Sequence, residues 1–236
     1  MAFGRVANGA PGRFARANAF PSGFMRRFLF VLLALAASGT ATHAQMRVQL
    51  AEKVVTLDGF GIAKGKPGAP VWIVELADFG CGYCAKFAAE TMPALDSIYT
   101  TPGKVYWRFV PFVLGMFPNA KEAAIGSLCA ADQGKFWPMH DRLYANRKAW
   151  MASKSPVTLI ARYAAESGVN SASYGRCVQG RAVAETLERN NALARSLYVR
   201  GTPTFVINGE IVPGALPRDV FVKGLDAVFK SATGGR

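Results

Sequence analysis

The sequence predicts an α/β fold in which a strand–helix–strand unit is followed by a long helical insertion and a short return to strand. Three observations carry this reading. Val71-Trp-Ile-Val-Glu-Leu-Ala77 is almost continuously apolar, the pattern of a strand covered on both faces, and it leads into a helix with Cys81 and Cys84 at the turn. Lys104-Val-Tyr-Trp-Arg-Phe-Val110 alternates and is rich in β-formers, a second strand ended by Pro111, so the two strands and their helix make a right-handed β-α-β unit. From about Pro118 to Tyr198 no strand pattern occurs, after which Thr204–Ile207 and Glu210–Val212 flank Asn208-Gly209, a strong hairpin signal. A chain of 236 residues allows one domain, or one domain with an insertion, and can bury a core.

The expected organisation is a signal peptide over 1–44, an extension and connector over 45–70, the first half of the α/β fold over 71–117, the helical insertion over 118–198 and the second half of the fold over 199–236. Arg26-Arg27 precede the apolar run Phe28–Ala37, and Ser38–Ala44 supplies small residues, with Thr42 and Ala44 placed for cleavage before Gln45. The run is too short for a comfortable membrane span, so the mature protein is expected not to cross a membrane. Met25 would start a signal of ordinary length, which makes residues 1–24 an expected overhang. Phe28-Leu29 follow the arginine pair without a spacer, favouring general secretion over the twin-arginine route, and no cysteine near the cleavage point marks a lipid anchor. Export to the periplasm would place all four cysteines in an oxidising compartment. Cleavage would take five arginines from a formal net charge of +13. The remaining surplus suits an anionic surface, acidic clients or a plain soluble exterior. No interleaving of arginine with aromatics points to nucleic acid.

Within 45–70, Lys53–Leu57 is a weak strand candidate and Gly59–Pro70 reads as a connector. After Cys84 a helix is expected to about Tyr99, with Phe87, Ala88, Met92, Leu95 and Ile98 as its apolar stripe and a kink at Pro93. The insertion offers helices over 119–131, 135–148, 156–167, 171–179 and 181–198, and a last helix over 217–231 should cover the sheet with Phe221, Leu225, Val228 and Phe229.

Cys81-Gly-Tyr-Cys84 has the spacing of a redox dithiol. One helical turn separates the sulfurs, and Cys81 sits where unpaired helix amides favour an anion, so it is expected to be the exposed, reactive thiolate with Cys84 shielded. A zinc site would want a second close Cys or His pair, and haem attachment a histidine where Ala85 stands. Glu75 interrupts an apolar strand, and a buried carboxylate is costly. It is either a partly exposed acid near the strand end or a carboxyl beneath the dithiol, with raised pKa, relaying protons to and from Cys84. His140 has no partners for a ligand cluster and reads as a structural, hydrogen-bonded histidine; Met116, Met139 and Met151 read as core or surface filler rather than a copper site. Cys129 shares a helix face with Ile125, and Cys177 with Tyr174 and Val178. In an exported protein such a pair suggests a structural disulfide, against two buried free thiols or a second redox couple.

Glu75 six residues before Cys81, Phe79 between them, Phe87 three after Cys84, and Gly201-Thr-Pro-Thr-Phe205 near the C-terminus together resemble the DsbA-like branch of the thioredoxin superfamily. Gln133-Gly-Lys-Phe-Trp137 and His140-Asp141 are similar to that branch's insertion. The resemblance implies a thioredoxin fold with an α-helical insertion domain, a cis bond at Pro203 that turns the Thr202 backbone toward the dithiol and a client strand, a Glu75 proton relay, and a Cys129–Cys177 bridge. It implies reduced client proteins or peptides as substrates, no cofactor or metal, and re-oxidation by a DsbB-like membrane protein. The tuning dipeptide Gly82-Tyr83 lacks the histidine of the best-known DsbA enzymes and the proline of thioredoxin, so helix-end amides are expected to hold the Cys81 thiolate. Thr202 stands where DsbA oxidases usually carry valine and resembles isomerase-type relatives. Yet 45–70 is too short for the dimerisation domain of DsbC and DsbG isomerases. The expected function is an exported thiol:disulfide oxidoreductase that introduces disulfides into clients. The alternatives are a reductase or isomerase, a copper-tolerance or metal-binding relative, and a chaperone-like binder with a vestigial dithiol.

Overall fold

The computed structural model describes residues 45–51 and 53–234; the expected signal peptide, its Met25 start and its cleavage point lie outside the described residues. A five-stranded sheet in the order β3-β5-β4-β6-β7 forms the centre. Its strands are β3 (Ile62–Lys64), β4 (Val71–Ala77), β5 (Val105–Pro111), β6 (Thr204–Ile207) and β7 (Glu210–Pro213). β4 pairs in parallel with β5, with Ile73 opposite Trp107 and Glu75 opposite Phe109, and antiparallel with β6. Being central, β4 is buried along its length except at Trp72, as its apolar run requires. The hairpin expected around Asn208-Gly209 is present, and Asn208 takes the positive φ (46°) that such a turn needs.

The described part of residues 45–70 holds more structure than expected. β1 (Arg47–Gln49) and β2 (Val54–Thr56) form a separate two-stranded ribbon, and β3 lies inside the stretch read as a connector. Three residues are too few to show an alternating pattern. Gly61 and Gly65 flank β3 with φ of +73° and +90°, and a Cβ on either would meet a β5 carbonyl oxygen at 2.6 Å. Those glycines let the short edge strand lie against β5.

The expected helix after the dithiol is three pieces: α1 (Gly82–Glu90), α2 (Met92–Leu95) and a π-helical turn over Asp96–Thr100. Pro93 near the start of α2 has no N–H to continue the ladder, and Thr91 closes α1 by donating to Phe87 O. The π turn adds a residue per turn and rotates the face. Tyr99 is therefore buried and Ile98 is 41% exposed, which corrects the expected stripe.

The insertion carries α3 (Ala120–Ala131), α4 (Phe136–Ala145), α5 (Arg147–Ala152), α6 (Pro156–Glu166), α7 (Ser171–Val178) and α8 (Arg181–Ser196). The helix expected over 135–148 is divided at Asn146, whose side chain donates to the Arg142 carbonyl and ends α4. Cys129 on α3 is bonded to Cys177 on α7. The last helix, α9 (Arg218–Ala232), buries Phe221 and Leu225.

Strand alternation divides the core. Ile73, Trp107 and Phe205 point from one sheet face into a cluster with Phe87 of α1 and Phe221 of α9. Val74, Leu76, Val110 and Val206 point from the other face toward α8 and the β1–β2 ribbon. A third cluster joins Ala77, Phe79, Phe109 and both Cys81 and Cys84 to the insertion's Phe136, Met139, Tyr144 and Trp150. The dithiol thus lies where the sheet meets the insertion. Removing the Cys129–Cys177 link, which closes a sequence separation of 48 residues, with the double variant Cys129→Ala/Cys177→Ala is expected to cost about 2–4 kcal/mol, read as a lowered urea midpoint. An unchanged midpoint would assign the bond no structural role.

Candidate active site

The turn between β4 and α1 is built by Asp78. Its fully buried carboxylate accepts the Gly80 N–H through Oδ1 and the Leu114 N–H through Oδ2, each at 2.8 Å, and its carbonyl accepts the Cys81 N–H at 3.0 Å. These bonds deliver Cys81 to the N-cap of α1 in extended conformation (φ −77°, ψ 125°), where its sulfur accepts the Cys84 N–H at 3.4 Å. N-cap side chains hold helix amides in this way, and the helix end favours negative charge there.

Cys81 is only 4% exposed, which corrects the expectation that it stands open. The Thr202-Pro203 peptide is cis, and the Thr202 carbonyl faces the dithiol, accepting from Cys81 Sγ at 3.2 Å. That loop is held by the Gly214 N–H donating to Pro203 O and by Thr204 Oγ1 donating to Gly201 O, both at 2.8 Å.

The two thiols are driven apart. Hydrogen bonding from the Cys84 thiol is the largest cause that lowers Cys81 from 9.0 to about 5; burial opposes it, and Thr202 and the amides of Cys84 and Tyr83 assist. The sequence pointed to helix amides as the main support, whereas the neighbouring thiol contributes most. The Thr202 hydroxyl is buried without a hydrogen-bond partner beside the sulfurs. Cys84, fully buried, is pushed well above the usual thiol value by burial first, then by its bond to Cys81 and the nearby charges of Cys81 and Glu75.

Glu75 lies on the same sheet face as Ile73 and Ala77, beneath α1, and is 2% exposed, so the reading of an exposed acid at the strand end does not hold. Burial raises its pKa to about 8, while the Trp107 indole N–H, donating to Oε2 at 3.1 Å, and the charge of Lys64 hold it down. At neutral pH the carboxyl is largely protonated. Gly82 and Tyr83 are exposed, Tyr83 by 71%, and Tyr83 lines a groove of about 530 Å³ with Thr202, Tyr198 and Arg200.

His140 is buried among rings, with Tyr144 at 4.8 Å and Phe109 at 4.9 Å edge-on, and its Nδ1 pairs with Asp141 at 2.8 Å. Burial lowers its pKa. Met139 is buried in the insertion, Met116 is exposed, and Met151 lies against Arg147. Among the described residues no three His, Cys, Asp or Glu side chains are grouped to hold a metal ion, and no helix is long and apolar enough to cross a membrane.

Three residues at the site escaped the sequence reading. Asp78 left a local signal, an acid two residues before a glycine at a strand end, the pattern of an Asx turn. Tyr144 and Arg147 left none, because they reach the dithiol from the insertion; the Arg147 guanidinium donates to Gly80 O at 2.7 Å across 67 positions of sequence.

Residues 58–227 match the family model for thioredoxin. Among curated proteins, the Na(+)/H(+) antiporter NhaA 3 of Salinispora tropica is 31% identical over 171 residues, covering 72% of this chain and 25% of the antiporter. The probable disulfide bond formation protein D of Bacillus anthracis is 26% identical over 152 residues, covering 62% of this chain and 69% of that protein. The chain thus spans about a quarter of the length of the antiporters it matches. Among solved structures, alpha-DsbA1 of Wolbachia pipientis superposes with a TM-score of 0.65 at 22% identity, covering 72% of this chain and 92% of that one. Oxidised BdbD of Bacillus subtilis gives 0.67 at 20% identity, covering 79% and 98%. The chain belongs to the thioredoxin family, and its fold is that of the DsbA-like members with a helical insertion.

Proposed function

We propose that the chain is a thiol:disulfide oxidoreductase that introduces disulfides into exported client proteins. The observation that carries the reading is the opposed ionisation of the two thiols, with Cys81 lowered to about 5 and Cys84 raised. A client thiolate attacks the Cys81 sulfur of the oxidised enzyme; the Cys81–Cys84 bond breaks and its electron pair goes to Cys84. Glu75, protonated below about pH 8, gives Cys84 its proton. A second client thiolate then attacks the client sulfur of the mixed disulfide and expels Cys81 as a stable thiolate. The client loses two electrons and the enzyme gains them. A good leaving group and a stabilised reduced form both favour an oxidant. The Thr202 carbonyl offers the backbone edge on which an extended client segment aligns, with the groove beside Tyr83 receiving its side chains. Export, a periplasmic site of action and re-oxidation by a DsbB-like membrane protein complete the proposal.

One feature favours a reductase or isomerase reading: Thr202 ahead of Pro203 adds a hydroxyl beside the sulfurs. Two assays separate the readings. Oxidation of reduced ribonuclease is expected to outpace unscrambling of mispaired ribonuclease; the reverse order would assign the isomerase role. Cys81→Ala is expected to abolish client oxidation, and persistence of that activity would make the dithiol incidental.

The ionisations also set the pH dependence of stability. Glu75 moves from 4.5 to about 8 on folding, so across that window the folded protein holds a proton that the unfolded chain has released, and stability falls as pH rises. Glu75→Gln is therefore expected to match the parent's melting temperature near pH 4 and exceed it above about pH 8. A constant difference across the range would place Glu75 outside any buried, protonated role. Cys81 works in the opposite sense. In the reduced protein its value drops from 9.0 to about 5, so stability grows as pH rises through that window. The oxidised protein has no such thiol. The stability gap between reduced and oxidised forms is expected to widen in favour of the reduced form from about pH 5 to about pH 9, read by calorimetry of both forms. A pH-independent gap would contradict a stabilised thiolate.

A further inference from the structure

The steps proposed above leave one charged contact at the dithiol without a part. Arg147, the first residue of α5, reaches from the insertion to the turn before α1 and donates from Nη1 to the Gly80 carbonyl at 2.7 Å. That carbonyl belongs to the peptide group whose other end is the Cys81 nitrogen. The Cys81 N–H donates to Asp78 O at 3.0 Å, so the Gly80–Cys81 peptide is held at both ends. The amide on the far side of Gly80 is held as well, by the Asp78 carboxylate at 2.8 Å. A methyl on Gly80 would meet Phe117 Cβ at 2.2 Å, so the turn is also pressed from outside.

Arg147 is itself braced. Its Nη1 lies 2.8 Å from Met151 Sδ one helical turn on. The other end of α5 is fixed by the Asn119 side-chain amide, which donates to the carbonyls of Trp150, Met151 and Ser153 at 2.9, 3.2 and 3.0 Å. The guanidinium also lies beside the tuning dipeptide, since a Cβ on Gly82 would stand 3.5 Å from Nη2.

We propose that Arg147 is a positioning residue for the nucleophile: it locks the Gly80–Cys81 peptide so that the Cys81 sulfur stays aimed at the thiol and backbone N–H of Cys84. The inference rests on the oxidoreductase reading and assigns the insertion a part in tuning it. Hydrogen bonds to sulfur depend on angle, and a bond from a charged donor holds a carbonyl more firmly than a neutral one. Freed at its oxygen, the peptide can rotate, and Cys81 loses the alignment that stabilises its anion. The dipeptide Gly82-Tyr83 brings no charge of its own, so a cation at this turn comes from α5.

The test is a pH titration of thiolate absorbance in the reduced full chain, with the glutathione equilibrium measured alongside. Arg147→Met keeps a long side chain next to Met151 and removes the donor. It is expected to raise the Cys81 pKa by about one unit, a tenfold change in ionisation, and to shift the glutathione equilibrium toward the oxidised enzyme. Arg147→Lys, which retains a cationic donor, is expected to recover most of the shift. Arg142→Met removes an ion pair with Glu166 elsewhere in the insertion and is expected to leave the titration unmoved, so loss of insertion stability is separated from loss of alignment. An Arg147→Met titration that superimposes on the parent's overturns the proposal, as does an Arg142→Met shift of equal size. Should Arg147→Met not fold, Arg147→Gln is judged by the same titration and criterion. The parent's own titration tests the oxidoreductase reading, and the difference between variant and parent tests Arg147, so the two can fail separately.

Discussion

Everything at the site depends on the bond from Cys84 to the Cys81 sulfur at the mouth of α1. Both cysteines are buried, and burial alone disfavours the charged form of each. Hydrogen bonding reverses that for one sulfur only. Cys84 donates hydrogen bonds from its thiol and its backbone N–H to Cys81, keeping its own proton, so stabilising one anion destabilises the other. The asymmetry follows from sequence order. The first cysteine occupies the N-cap, while the second lies inside the helix with its amide free to point back.

The sheet places a buried, protonated carboxyl beneath this pair. β4 is the central strand, and its alternation puts Ile73, Glu75 and Ala77 on the face that α1 covers. The same burial that keeps the carboxyl protonated ties it to the Trp107 indole on β5. Glu75 therefore opposes folding at high pH, a local cost that the proton-donor role proposed for it would account for.

The sequence disclosed those parts of the site that are local in the chain. The C-x-x-C spacing, the acid within an apolar strand and the Gly201–Phe205 segment are contiguous patterns, each with a physical meaning that one window of sequence reveals. The helical character of the insertion was legible from periodicity for the same reason, although the segment expected as one helix over 135–148 is two, divided at Asn146. What escaped lacked either length or locality. β3 has three residues, too short for a pattern, and exists because β5 offers it an edge that flanking glycines can approach. The π turn that buries Tyr99 in place of Ile98 reflects a break at Thr91-Met92-Pro93 whose outcome periodicity does not encode. Arg147 touches Gly80 only after the insertion folds back. The insertion is thus one wall of the site as well as an addition to the fold, with Phe136, Tyr144 and Trp150 in the cluster that encloses both sulfurs.

The most direct measurement is alkylation of the reduced, folded protein across a pH series, with each cysteine followed separately by mass spectrometry. The account requires Cys81 to react with a midpoint near its value of about 5 while Cys84 stays unreactive through neutral pH. Two cysteines that both react with the ordinary thiol midpoint near 9.0 would contradict it.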